Sequence, residues 1–163
     1  MSAVAKVGAA LAVIAAVGYW TSDPDVGASV PASATTGDIP AGYLALYHAR
    51  GATCPNLDWA LLAAIGKVET NHGRSPLPGV SSGANSAGAR GPMQFLPATY
   101  AAVRRRHPEV GPNVYDPGHA IPAAAHLLCD NGVRDGRVWD AVWSYNHAGW
   151  YVDKVLAQAA AYR

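Results

Sequence analysis

Beyond residue 38, apolar positions recur with helical spacing, and no segment sustains the alternation that is typical of a half-buried strand. The clearest stripe lies in residues 58–71, where Leu61, Leu62 and Ile65 fall on one side of a helical wheel. The sequence therefore predicts a mainly α domain over residues 39–163. The predicted helices cover residues 40–50, 58–71, 97–106, 117–129, 139–145 and 151–162.

Turn-forming and capping residues mark the ends of these helices. Asp38 is available as the cap of the first helix, and Asp116 before Pro117 is a typical cap of the fourth. Residues 75–91 are rich in Gly, Ser, Pro, Asn and Ala, and such a loop is longer than a compact domain normally keeps without a function. We expect this loop to form the rim of a substrate site.

The first 38 residues have a different pattern from the rest of the chain. Residues 1–20 combine Lys6 with an apolar run that is shorter than the roughly 18 residues of a membrane span, which is typical of a signal peptide. An N-terminal membrane anchor and a buried helix of the domain remain alternatives. Residues 21–38 have the Ser, Thr, Ala, Pro and Gly content of a flexible linker. We expect export and an extracytoplasmic location.

The composition and the net charge exclude some classes of function. The chain has 163 residues, 50% of them hydrophobic, and a net charge of +1, which suits a single small domain, expected to be a monomer. Nucleic-acid binding needs a basic surface, and the only basic cluster, Arg104 to Arg106, closes a predicted helix. We therefore expect no nucleic-acid partner.

Two cysteines, Cys54 and Cys129, lie inside the predicted domain. An even number of cysteines in an exported protein indicates a disulfide bond. Two separate buried thiols are the alternative.

Glu69 is one of only two glutamates and lies between Leu62 and Ile65 on the apolar side of its helix, while Lys67 points away. Burial disfavours the charged carboxylate and raises its pKa toward roughly 6–7, the range that suits a general acid. The alternative is a helix end at which Arg74 or His72 pairs with the carboxylate.

Two further segments have uses beside a carboxylic acid. In Gly91-Pro92-Met93-Gln94, the Gly-Pro turn lets the backbone approach a ligand closely, and the methionine provides a polarizable apolar surface. The glutamine amide can form hydrogen bonds with sugar hydroxyls. Ser144-Tyr145-Asn146 offers a phenol that can orient a carboxyl group and a second amide. Taken singly, such residues are more often caps or core positions.

The order and spacing of Glu69-Thr70, Gly91-Pro92-Met93-Gln94 and Ser144-Tyr145-Asn146 resemble the soluble lytic transglycosylase and goose-type lysozyme superfamily. The family pattern is Glu-Ser, Gly-Leu-Met-Gln and Ala-Tyr-Asn, and the resemblance covers residues 39–163. Thr70 replaces the usual Ser but keeps the hydroxyl, and Pro92 replaces Leu as in one branch of the superfamily.

The resemblance implies a lysozyme-like fold and cleavage of the β-1,4 bond between N-acetylmuramic acid and N-acetylglucosamine in peptidoglycan. Glu69 takes the position of the general acid and then the base, and the product carries a 1,6-anhydromuramoyl end. Tyr145 would position Glu69, and Met93 would line the cleft. The implied substrate-binding residues are Thr70, Gly91, Met93, Gln94, Tyr145 and Asn146.

Two other functions stay open on the sequence. Asp140 is a candidate base for a bound water, which would make the protein a hydrolysing muramidase, and a non-catalytic peptidoglycan-binding module is the second alternative. We expect no cofactor and no metal, because the six histidines lack paired spacing. Some members of a related branch carry an acidic, calcium-binding-type loop after the second motif, whereas Glu109 is the only acid between Arg104 and Tyr115. His72 and His147 are expected at the cleft edge or the surface.

The aromatic residues divide into two groups. Trp59, Trp139 and Trp143 lie on predicted helices and are expected in the core. Trp150 and Tyr151 follow the third motif and are expected to line the cleft.

Overall fold

Helices and the loops between them make up residues 36–163, the part of the chain that the computed structural model describes. Within those residues β structure is limited to one isolated bridge, between Arg90 and Phe95. The prediction of a mainly α domain is confirmed. The helices are α1 (Ala41–Arg50), α2 (Trp59–Thr70), α3 (Pro97–Arg106), α4 (Pro117–Asp130), α5 (Val138–Tyr145) and α6 (Gly149–Tyr162), and short 3₁₀ turns cover Thr36–Asp38 and Val133–Asp135.

The predicted signal peptide or anchor at residues 1–20 lies outside the described residues, as does the predicted linker apart from its last turn, Thr36–Asp38. Among the helices of residues 36–163, none combines the length and the apolarity that crossing a bilayer requires.

Helix α2 lies at the centre of the packing and contacts α1, α4 and α6. Every residue from Ala60 to Gly66 is buried, as expected for a helix that is apolar on all sides. Small residues let the neighbouring helices approach closely. At Gly66, a Cβ atom would collide with the hydroxyl group of Tyr47 in α1. The carboxylate of Asp58 caps the helix by accepting a hydrogen bond from the Ala60 amide at 2.9 Å.

The capping predictions had mixed outcomes. Asp116 caps α4, since its carboxylate accepts a hydrogen bond from the Gly118 amide at 2.8 Å. The prediction for Asp38 is wrong, because Pro40 occupies the N-cap of α1 and no side chain caps that helix. Asp38 instead forms a salt bridge with Nζ of Lys67 at 2.8 Å. Asp38 therefore pairs with a charged side chain from another helix. Sequence spacing does not reveal such a contact between separate elements.

Two assignments of aromatic residues to the core are also wrong. The exposed fractions of Trp139 and Trp143 in α5 are 49% and 39%, whereas Trp59 is partly buried against the core. His72, expected at the cleft edge or surface, is only 1% exposed. The apolar face of α5 is supplied by smaller residues, Ala141 and Val142, which leaves the two indoles on the outer side.

The predicted disulfide between Cys54 and Cys129 is present, with a Cα–Cα distance of 6.1 Å. Cys54 lies in the loop before α2, and Cys129 lies in the last turn of α4. The bond therefore ties the segment that leads into the central helix to a second buried helix. It closes a loop across a sequence separation of 75 residues.

Replacing both cysteines with alanine is expected to lower the free energy of unfolding by about 4 kcal/mol, because the cross-link no longer restricts the unfolded chain. Urea denaturation of the oxidised wild type and the double variant measures the difference. Reductant should shift the wild type toward the variant and leave the variant unchanged. A loss below about 1 kcal/mol would contradict this account of the bond.

Candidate active site

Glu69 lies in the last turn of α2 and is partly buried. Its Oε1 atom accepts a hydrogen bond of 2.6 Å from the hydroxyl group of Tyr151, in the first turn of α6. Burial raises the pKa of Glu69 to about 7, although the hydrogen bond from Tyr151 and the charge of Lys154 act in the opposite direction. The carboxyl group can therefore hold a proton near neutrality.

The alternative in which Arg74 or His72 pairs with Glu69 is wrong. The Arg74 guanidinium donates to the carbonyl oxygens of Asn71 and Asp38. The imidazole of His72 lies between the hydroxyl groups of Tyr47, at 3.0 Å, and Tyr162, at 3.1 Å. Both potential partners are held by other groups.

The chain turns sharply just after Glu69 and Thr70. Asn71 and His72 both have left-handed backbone conformations, with φ of 51° and 58°. Such conformations cost free energy in residues other than glycine and persist where the surroundings hold them. Here the buried imidazole is fixed between two tyrosines, and burial lowers its pKa to about 4, so the ring stays neutral. The arrangement ends α2 directly after its carboxyl group.

The second motif forms a tight turn. Arg90 and Phe95 exchange backbone hydrogen bonds of 2.9 and 2.8 Å, and Gly91 to Gln94 make the bend between them. Gly91 has φ of 77°, and a Cβ atom there would collide with the carbonyl group of Val114. Glycine is therefore required at this position for both its conformation and its close contact.

Hydroxyl groups from the other two motifs hold this turn. Oγ1 of Thr70 donates to the carbonyl oxygen of Pro92 at 2.7 Å, and the hydroxyl of Tyr145 donates to that of Met93 at 2.7 Å. The ends of α2 and α5 are thus joined through two successive carbonyl groups. The three sequence motifs meet in space, and the turn fixes the wall of the site beside Glu69.

Several residues that were predicted to bind substrate instead form hydrogen bonds within the protein or are buried. The amide of Gln94 donates to the carbonyl oxygen of Gly91 at 2.9 Å and accepts from Asn85 at 3.0 Å. Gln94 also lies in the turn, with φ of 49°. Met93 is fully buried, which contradicts the expectation that its side chain lines an open cleft. Thr70, at 1% exposure, is equally inaccessible.

The expected hydrogen bond from Tyr145 to Glu69 is replaced by one from Tyr151. Tyr145 donates to Met93, and Tyr151 occupies the position beside the carboxyl group. Asn146, the C-cap of α5, forms no side-chain hydrogen bond with another described residue, so its amide is the least committed of the predicted set. The signal for Tyr151 in the sequence was only its place just after the third motif.

Exposed aromatic groups lie next in the chain to these residues. Trp150, which precedes Tyr151, is 57% exposed, and the two rings are 6.0 Å apart. Trp143, two residues before Tyr145, packs edge-to-face with the imidazole of His147 at 4.4 Å. Flat, partly apolar surfaces of this kind suit stacking against sugar rings.

The described residues form a mainly helical domain with a lysozyme-like fold. The chain belongs to the transglycosylase SLT domain family, whose model matches residues 47–162. Membership confirms the resemblance seen in the motifs and indicates a lytic-transglycosylase-type action on peptidoglycan, and hence outside the cytoplasm. No curated protein sequence matches the chain significantly.

Replacing Tyr151 with phenylalanine is expected to raise the pKa of Glu69 above about 7, because the lost hydrogen bond favoured the charged carboxylate. Glutamate labelled with ¹³C at the side-chain carboxyl carbon measures this directly, since the chain has only two glutamates. The resonance of Glu109 is the internal reference. Tyr100→Phe, which removes a hydroxyl bound to Gly111, is the matched control. An unchanged or lowered pKa in Tyr151→Phe would contradict the assignment.

Replacing Thr70 with valine is expected to destabilise the protein by about 1–3 kcal/mol, because the buried Pro92 carbonyl and Gly73 amide lose their hydroxyl partner. Thr70→Ser keeps the hydroxyl and should lose much less. Thermal unfolding of the three proteins in parallel provides the comparison. Little loss in Thr70→Val together with a large loss in Thr70→Ser would show that packing of the methyl group, and not the hydrogen bonds, matters at this position.

Proposed function

We propose that this protein is a peptidoglycan lytic transglycosylase that cleaves the β-1,4 bond between N-acetylmuramic acid and N-acetylglucosamine. The observation that carries the proposal is the carboxyl group of Glu69, desolvated so that its pKa is about 7 and bonded to Tyr151. An acid with this pKa can donate a proton and take one back near neutral pH.

In the proposed reaction, protonated Glu69 gives its proton to the glycosidic oxygen as the bond to C1 of the muramoyl residue breaks. The acetamido group of the substrate helps to stabilise the positive centre that forms. The carboxylate of Glu69 then removes the proton of the muramoyl 6-hydroxyl, whose oxygen bonds to C1. The product is a 1,6-anhydromuramoyl end, and the acid is restored without addition of water.

Tyr151 supports both states of this acid. Burial and the nearby carboxylate keep the pKa of Tyr151 well above its ordinary value, so its hydroxyl remains a hydrogen-bond donor. Because that hydroxyl donates to Oε1 of Glu69, the transferable proton is carried on Oε2. We propose Tyr151, and not Tyr145, as the residue that positions the acid.

Within residues 36–163, no second carboxylate acts on the pKa of Glu69, which favours the lyase over a hydrolysing muramidase. Hydrolysis by a retaining or inverting route uses two carboxyl groups that flank the bond. Asp140, the candidate base, has a side chain that is 57% exposed and lies 3.9 Å from Arg137. Among the described residues, the groups that act on the pKa of Glu69 are Tyr151 and Lys154, besides burial, and none of them is a second acid.

For substrate binding, we propose that the exposed indole of Trp150 contacts sugar. We propose Asn146 as a second contact because its amide forms no side-chain hydrogen bond with another described residue, although the residue is only 5% exposed. We assign Thr70, Gly91, Met93 and Gln94 to the support of the site wall, because their side chains or close contacts lie within the protein.

The proposal extends to the whole chain. We propose that residues 1–20 direct export or anchor the chain, residues 21–38 form a linker, and residues 39–163 act as a monomeric domain on the cell wall. The target glycan then lies outside the cytoplasm, where a disulfide bond is also stable.

Mass spectrometry of soluble muropeptides released from purified peptidoglycan tests the reaction. Glu69→Gln is expected to lower turnover at least ~100-fold, because the amide cannot donate the acidic proton. Glu109→Gln, the same change at the other glutamate, should retain activity. Products with 1,6-anhydromuramoyl ends support the proposal, and reducing ends would indicate a hydrolase. Binding without products that depend on Glu69 would indicate the non-catalytic module.

A further inference from the structure

A second group of polar residues lies where α3 ends and the following loop meets α4. One potential ligand atom from each of His107, Glu109 and His126 falls within 4.8 Å of the others. His107 is the C-cap of α3, Glu109 lies in the loop, and His126 is in α4. The histidine spacing in sequence gave no sign of a metal site, because the two imidazoles come from different elements.

The distances resemble those of a metal site. Oε1 of Glu109 lies 3.1 Å from Nε2 of His126 and 3.8 Å from Nδ1 of His107. Ligands bound tetrahedrally at about 2.0–2.1 Å from zinc are separated by comparable distances. The two imidazole rings stack with centroids 3.9 Å apart and planes 21° from parallel, so one ring must rotate for both nitrogens to reach a single ion.

A further carboxylate orients one of these imidazoles. Nε2 of His107 lies 2.9 Å from Oδ2 of Asp130, which leaves Nδ1 to face Glu109. Metal-binding histidines commonly donate the second ring N–H to such an acceptor, which fixes the tautomer and increases the basicity of the ligand nitrogen.

The charges around the cluster also fit a cation at Glu109. Asp130 is paired with Arg106 at 2.9 Å and Arg134 at 3.7 Å, so its charge is already balanced. Glu109 has only the two imidazoles as partners within the described residues, and its side chain is 60% exposed. Nearby Arg50 is the remaining positive group that acts on His126.

We propose that His107, Glu109 and His126 bind one Zn²⁺ ion, with Asp130 holding His107. Two imidazoles and one carboxylate suit zinc better than calcium, which prefers oxygen ligands. A bound ion would tie the end of α3 and its loop to α4, and it would stabilise the folded state. The site is separate from Glu69, and the proposal does not depend on the proposed function.

Titration of the metal-free full chain with Zn²⁺ tests this site. Both cysteines are in the disulfide, so thiols do not compete. We expect one equivalent to bind and to raise the unfolding temperature, whereas Ca²⁺ should do neither. His107→Gln, His126→Gln and Glu109→Gln should each weaken binding at least ~10-fold, and Asp130→Asn should weaken it by a similar factor through His107.

Matched variants separate this site from other surface histidines and from the active site. His48→Gln removes an exposed imidazole elsewhere, and Glu69→Gln makes the same change at the other glutamate, so both should keep zinc affinity. Cobalt absorption bands and zinc-dependent shifts of the His107 and His126 ring resonances in the wild type provide a measurement that needs no variant. No saturable binding, binding insensitive to the ligand substitutions, or competition by Ca²⁺ would overturn the proposal.

Discussion

The central constraint in this structure is that an ionisable carboxyl group lies at the end of a helix that is buried from Ala60 to Gly66. Desolvation raises the pKa of Glu69 to about 7, and it outweighs both the hydrogen bond from Tyr151 and the charge of Lys154. That balance depends on α1, α4 and α6 enclosing α2, which in turn depends on small residues such as Gly66. The helix packing that forms the core therefore also sets the pKa of Glu69.

A second feature is the division between residues that hold the site and residues that can face a ligand. Thr70 and Tyr145 direct their hydroxyls at two adjacent carbonyl groups of one turn, and Gln94 secures that turn to its own loop. Backbone carbonyls are fixed acceptors, so these bonds set the position of the main chain beside Glu69. Motif residues of this kind are needed for geometry, and they contact the reacting groups only indirectly.

Strain at the end of α2 belongs to the same arrangement. Asn71 and His72 adopt left-handed conformations that cost free energy, and the contacts of His72 with Tyr47 and Tyr162 hold them. The bend ends the helix one residue after its functional carboxyl group. Strain localised at such a position is typical of functional sites.

The sequence by itself determined the helical class, the ends of α3 and the apolar helix face on which Glu69 lies, and it predicted the disulfide pair. Periodicity and capping chemistry depend on residues that are close together in the sequence. Two cysteines allow only one intramolecular disulfide. Tertiary structure alone decided that Tyr151 is the partner of Glu69, that Asp38 pairs with Lys67, and that His107 and His126 stack. Each of these contacts joins separate elements, and their meeting depends on how whole helices pack, which local sequence patterns do not encode.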